Sequence, residues 1–371
     1  MGELDQVLRR EEQALYRLRA LYQSCGYRPY KMNKFEEYDL YARNRSFLQS
    51  EQILTFTDTD GRLMALKPDV TLSIIKNAKE MPGLQKLCYN ETVYRPSGAY
   101  GGFREIMQAG LECIGVLDLF AMGEVILLAV RSLSSVAERC LLNLSHLGVL
   151  TGALDELTGS EEIKRGLLRC IGRKNPHELA AICREAGLSE SDQNRLQKLT
   201  RLHGPLAETI PVLAGLCPNQ TAELDELEGL RRMLDAAGAA GRVVLDLSTG
   251  GDMRYYNGLI FQGFVDGVAE PILSGGRYDS LVKKLGKRGG AIGFAVYLDL
   301  LERFDPSPDY DVDVLLLYEP GCDPAALHEA ASGLRGQDKT VRVEQSRPEG
   351  LHCRQLYQFK EGRLTCLEEP A

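Results

Sequence analysis

The ten cysteines include no Cys-x-x-Cys pair and no grouping with histidine at zinc-ligand spacing. That leaves neither a zinc module nor a dithiol redox motif to read. Cys88, Cys113, Cys140, Cys170 and Cys183 stand among apolar residues and read as small hydrophobes of a reducing compartment. Histidine is as sparse, with five scattered residues, which gives no basis for histidine acid–base chemistry or metal ligation. A basic surface is also lacking: the formal net charge is −8, which argues against a dedicated nucleic-acid binder. The longest clean apolar run lies near Val125–Val130, well short of the roughly 20 residues that cross a bilayer. The opening MGELDQVLRREEQALYRLRALY is charged and helix-periodic, unlike a signal peptide. A cytoplasmic protein is expected, without membrane, metal or cofactor.

What is present is an ordinary globular composition, with 44% hydrophobic and 26% charged residues over 371 positions, long enough for two or three domains. Residues 4–24 carry an amphipathic helical pattern that Gly26 ends. ILTFTD and RLMALKPD read as strands, VTLSIIKNAKE as a helix, and KLCYNETVYR with REIMQAGLECIG as an antiparallel hairpin. Residues 118–140 are strongly helical from Leu119 to Val136. From about 144 to 240 strand signals vanish and short helices follow one another, as in an insertion. RVVLDLS and YYNGLIFQGFVD restore strands, SGGRYDSLVKKLG reads as a glycine turn opening a helix, and AIGFAVYLDLLERF as a closing helix. After a linker at 305–308, residues 309–371 make a small β-α-β module with a short end.

Several polar residues of this pattern fall where their side chains could converge. Gln108 and Glu112 are four apart and share a strand face. Asp69 and Thr71 sit where a strand passes into a helix, and Tyr255 and Tyr256 come from a third strand. Singly, each has an ordinary packing or surface reading; the tyrosine pair alone reads as one residue inward and one to solvent. Jointly they could form a pocket of two carboxylates, an amide and a phenol, suited to a small zwitterion with a cationic or hydrogen-bonding side chain.

The succession ALKPDVT, VYR, FREIMQAGLECIG, DMRYYNGLIF, SGGRYD and AIGFA resembles the class II histidyl-tRNA synthetases over about residues 20–304. That resemblance implies an α+β fold, an antiparallel sheet flanked by helices, for residues 1–304. The helical insertion interrupts it, and residues 309–371 resemble a shortened anticodon-binding domain. It implies histidine recognition by Asp69 (a glutamate in the family), Thr71, Gln108, Glu112, Tyr255 and Tyr256.

The nucleotide side departs from that family. Arg95 matches the phosphate-gripping arginine of motif 2, but Ser97 replaces its glutamate and the loop to Arg104 is one residue short. Tyr297, Asp299 and Leu300 replace the Gly-x-Glu-Arg of motif 3, with Glu302-Arg303 displaced along the chain. Gly251 stands where the catalytic arginine belongs, Arg254 where its aspartate belongs, and Asn33 replaces the motif 1 proline. Charge developing on a phosphate needs a fixed cation, which glycine cannot supply.

A kept amino-acid pocket beside a broken nucleotide site resembles the ATP phosphoribosyltransferase regulatory subunits, paralogues of the synthetases. Membership implies no catalysis and a homodimer core in a hetero-octamer with the short-form catalytic subunit. It also implies L-histidine as feedback ligand and no tRNA. Arg95 and Arg104 are left as candidate anion-binding residues. The competing readings are a divergent histidyl-tRNA synthetase, a synthetase-like module regulating another partner, and a scaffold that no longer binds histidine. SGGRYD is read as close packing in preference to an anion site.

Overall fold

The computed structural model describes residues 8–48, 52–78, 83–97, 101–249, 256–304, 310–336 and 339–368. The chain divides into two units, Met1–Phe304 and Asp305–Ala371. In the first, α1 (Arg10–Ser24) turns Ala14, Leu18 and Tyr22 inward at helical spacing. Gly26, at φ +82°, follows its end in a conformation that favours glycine. Then come β1 (Arg28–Pro29), β2 (Phe35–Glu37), α2 (Tyr38–Ala42), β3 (Thr55–Thr57), β4 (Leu63–Leu66) and α3 (Thr71–Asn77). Strands β2, β4 and β3 form a small antiparallel sheet.

Strands β5 (Gln85–Pro96) and β6 (Phe103–Gly115) form the long hairpin that the sequence pattern predicts, paired from Gln85↔Ile114 to Pro96↔Phe103. Asp118 caps α4 (Leu119–Val136) by accepting from the Ala121 amide at 2.8 Å. The run at Val125–Val130 is only the middle of this helix, whose mean hydropathy of 1.7 over 18 residues would suit a bilayer by length and composition. Here Val125, Ile126, Leu128, Ala129 and Leu133 are buried in the main core cluster, so the apolarity has a structural use.

The sequence reading misses β7 (Cys140–His146), a central strand that overlaps the expected start of the insertion. CLLNLSH is leucine-rich and short, and only pairing with β10 and β9 makes it a strand. The insertion therefore follows His146. It comprises α5 (Leu147–Asp155), α6 (Glu161–Gly172), α7 (Pro176–Glu185), α8 (Glu190–Arg201), a three-residue strand β8 (His203–Pro205), α9 (Leu206–Leu216) and α10 (Thr221–Ala236). Ser160, Asn175 and Ser189 cap α6, α7 and α8.

The chain returns through β9 (Val243–Asp246), β10 (Leu259–Val265), β11 (Leu273–Arg277), α11 (Asp279–Lys284) and β12 (Gly290–Tyr297). Two expectations are corrected here. AIGFAVY is strand β12, followed by a 3-10 stretch at Leu298–Phe304, and the glycines of SGGRYD lie within strand β11. AIGFAVY is a short apolar run buried on two faces, for which periodicity cannot separate strand from helix, and the paired glycines of β11 carry no side chain to mark a strand. Among the described residues the main sheet has the order β1-β5-β6-β12-β11-β10-β7-β9-β8. It is antiparallel except at β1/β5 and β7/β9.

The second unit contains β13 (Val312–Tyr318), α12 (Pro324–Arg335), β14 (Val341–Glu344), β15 (Cys353–Lys360) and β16 (Arg363–Glu368), ordered β14-β13-β15-β16. The expected β-α-β is present, and the short end proves to be an antiparallel hairpin turning at Glu361 and Gly362, both at positive φ.

The sheet is dense where β5, β6 and β12 pass one another. A Cβ added at Gly110 would lie 2.3 Å from the Phe294 carbonyl oxygen and 2.5 Å from the Tyr89 hydroxyl. Gly110→Ala is therefore expected to cost about 1–3 kcal/mol, read as a lower urea midpoint. Gly215→Ala, on an exposed face of α9 with nothing within 4 Å, should be neutral or stabilise by up to about 1 kcal/mol.

Candidate functional site

Four segments meet on the β6 face of the main sheet. Strand β6 supplies Gln108 and Glu112, exposed by only 2% and 1%. The turn after β4 supplies Asp69, whose Oδ1 accepts from the Leu72 amide at 2.8 Å and so fixes the start of α3. That places Thr71 to donate from Oγ1 to Glu112 Oε1 at 2.7 Å. Tyr278, just past β11, donates its hydroxyl to Glu112 Oε2. Strand β12 crosses beside it at Gly293, where a Cβ would fall 1.8 Å from Glu112 Oε2. Only glycine leaves room for the carboxyl group.

Asp69, Thr71, Arg95, Gln108, Glu112 and Tyr256 line one cavity of about 290 Å³. Gln108 Nε2 is buried and has no hydrogen-bond partner among the described residues. An orphaned buried donor carries a desolvation cost of about 1–3 kcal/mol, which a ligand acceptor would remove. Burial pushes the Glu112 carboxyl up to about 8, against the lowering effect of the Thr71 and Tyr278 hydrogen bonds, and the Asp69 charge adds to the rise. Burial also raises Asp69, which Arg95 and the Leu72 amide partly offset. Two buried acids facing one space favour a cationic or proton-donating guest.

Arg95 points back toward the pocket: its Nε donates to the Pro68 carbonyl at 2.9 Å and an Nη lies 3.9 Å from Asp69 Oδ2. It also lines an adjoining cavity of about 470 Å³ with Arg104, Glu270 and Asp299. Arg95 and Arg104 are direct cross-strand partners.

Tyr256 lies in the connection before β10, not on a strand as the pattern predicts. Its ring packs where a Gly276 Cβ would come within 2.5 Å, and its hydroxyl is hydrogen-bonded to Ser274. Tyr255, Gly251 and Arg254 lie outside the described residues, as do the side chains of Glu302 and Arg303. Sequence reasoning misses Tyr278, Ser274 and Gly293. Ser274 and Gly293 lie in strands, and Tyr278 just after one, that the local pattern presents as a turn and a helix, so alternation does not reveal them.

The pH dependence of stability follows from the raised Glu112. Below its ordinary value of 4.5 the group is protonated in folded and unfolded chains alike and costs nothing. As pH climbs toward about 8 the unfolded chain ionises first, so the cost of keeping Glu112 buried grows and then levels off. Glu112→Gln is expected to gain stability relative to the unaltered chain across that window and no further above it, in urea midpoints measured against pH.

A histidyl-tRNA synthetase family model matches residues 4–301. The chain is 32% identical to an ATP phosphoribosyltransferase regulatory subunit of Moorella thermoacetica, covering 91% of this chain and 88% of the relative. It is 30% identical to one of Clostridium kluyveri, covering 86% and 85%. A solved ATP phosphoribosyltransferase regulatory subunit/histidyl-tRNA synthetase from Bacillus halodurans superposes with a TM-score of 0.75 at 26% identity, over 93% of this chain and 90% of that one. The chain belongs to the histidyl-tRNA synthetase family and, within it, to the ATP phosphoribosyltransferase regulatory subunits.

Proposed function

We propose that this chain binds L-histidine in the cavity of Asp69, Thr71, Gln108, Glu112 and Tyr256, and that it reports this amino acid to a short-form ATP phosphoribosyltransferase catalytic subunit as feedback inhibition. The observation that carries the reading is the orphaned Gln108 amide beside two buried carboxyl groups. Asp69 and Gln108 suit the α-amino end of the ligand, and Glu112 suits a donor nitrogen of the imidazole. The chain itself performs no chemistry. The arginine positions of motif 3 and of the catalytic loop are Leu300 and Gly251, and Arg95 is engaged with Pro68 and Asp69.

The partner assignment rests on the relatives' name and on a Thermotoga maritima protein of like fold, solved in an ATP phosphoribosyltransferase complex, with a TM-score of 0.62 at 19% identity. We assign the chain a cytoplasmic homodimer core within a hetero-octamer. Arg95 and Arg104 are proposed as a candidate anion site, as cross-strand partners that line the adjoining cavity beside Glu270 and Asp299.

Calorimetric titration of the full chain with L-histidine is expected to show binding. Gln108→Ala and Glu112→Ala should each weaken it by about 10–100-fold, the worth of a hydrogen bond to a charged group. Absence of histidine heat would overturn the reading. Mg-ATP added with histidine should release no pyrophosphate; release would return the chain to the synthetases. Histidine should inhibit the reconstituted complex, and with Glu112→Ala the complex should assemble and lose that inhibition.

A further inference from the structure

The helical insertion contributes no lining residue to the ligand cavity among the described residues, yet one of its carboxylates holds the segment that carries two pocket tyrosines. We infer that Glu226, on α10, is a positioning residue for the cavity and that through it the insertion sets ligand affinity. The inference rests on the histidine reading above.

The connection is continuous. Glu226 Oε2 lies 3.6 Å from an Arg277 Nη, and Glu226 Oε1 accepts from His146 Nε2 at 3.1 Å. Arg277 continues to Asp279 Oδ2, 2.9 Å from both Nε and Nη2. The Asp279 amide donates to Asn257 Oδ1 at 2.8 Å, and the Asn257 amide donates back to the Arg277 carbonyl at 3.0 Å. Tyr278 stands between Arg277 and Asp279, and Tyr256 immediately precedes Asn257. Both tyrosines therefore hang on a closed ring of bonds whose outer anchor is Glu226.

The setting favours transmission. Arg277 and Glu226 are only 28% and 18% exposed, so solvent screens the pair less than a surface bridge. The Arg277 stem lies against Gly258, where a Cβ would meet its Cδ at 3.1 Å. Without Glu226 the guanidinium keeps Asp279 but loses its hold from α10, and His146 loses its acceptor. The ring can then shift under both tyrosines, and Glu112 depends on one of them for a hydrogen bond. A second tie joins the insertion to the main sheet: Lys174, between α6 and α7, sits at φ +51° and reaches Asp246 Oδ2 on β9 at 3.1 Å. A non-glycine residue held in that region is strained, and such strain clusters at functional positions.

The test is the L-histidine affinity of the full chain by calorimetry. Glu226→Gln is expected to weaken binding by roughly 3- to 30-fold. Glu228→Gln makes the same charge change on the same helix at a residue that, among the described residues, pairs within it to Arg231, and should stay within about twofold. In a Tyr278→Phe background the Glu226→Gln effect should shrink measurably, because part of it acts through that hydroxyl. Simple loss of helix stability would not produce that non-additivity. If Glu226→Gln folds poorly, Arg277→Lys breaks the same ring and should weaken histidine comparably. Unchanged affinity in Glu226→Gln, or an equal loss with and without the Tyr278 hydroxyl, overturns the inference alone. An unaltered chain that binds no histidine overturns the histidine reading and this inference with it.

Discussion

Glu112 is an acid with only 1% of its surface exposed, set in the wall of the cavity. Burying an unsatisfied carboxyl group costs several kcal/mol, and the rest of the site is arranged to limit that cost. Thr71 covers one oxygen and Tyr278 the other, from segments 41 residues before and 166 after it. Gly293 stands aside on the neighbouring strand. Helix α3 must start where Asp69 caps it, and β11 must end where Tyr278 can turn back. A local change in any of these segments is felt at one carboxyl group.

The same placement separates recognition from catalysis. Two buried acids and an unsatisfied amide suit a guest with cationic or donor groups, and a cavity of about 290 Å³ suits a small molecule. Its cation, Arg95, is turned inward to Asp69 and is not displayed toward the adjoining cavity alone. A binder of this kind regulates only if its quaternary states differ in affinity for the ligand, and the coupling cannot exceed that difference. The bonded ring from Glu226 to Tyr256 and Tyr278 gives such a difference a physical route out of the pocket.

Legibility in the sequence tracked how local each signal was. The β5–β6 hairpin is two long strand-forming runs either side of a glycine-rich turn, and α4 repeats its apolar face over five turns, so both are readable from local pattern. Gln108 and Glu112 could be placed on one face for the same reason. Strands β7, β11 and β12 were misread because they are short, buried on both faces, and flanked by pairing partners distant in sequence. Tyr278 and Gly293 escaped notice for that reason. The SGGRYD glycines lie in a strand and not a turn, where neighbouring atoms leave no space for a Cβ at Gly275 or Gly276.

By itself the sequence determined which residues could share a face or begin a helix, because 2.0- and 3.6-residue periods are properties of the backbone. It also determined which cations were missing from the nucleotide side, since a residue that is not encoded cannot be supplied by folding. Tertiary structure alone decided that Asp69, Thr71, Gln108, Glu112 and Tyr256 surround one space, that Tyr278 completes the bonding of Glu112, and that an insertion helix holds Arg277. Those relations join segments separated by up to 166 residues, and no local period carries information over that distance.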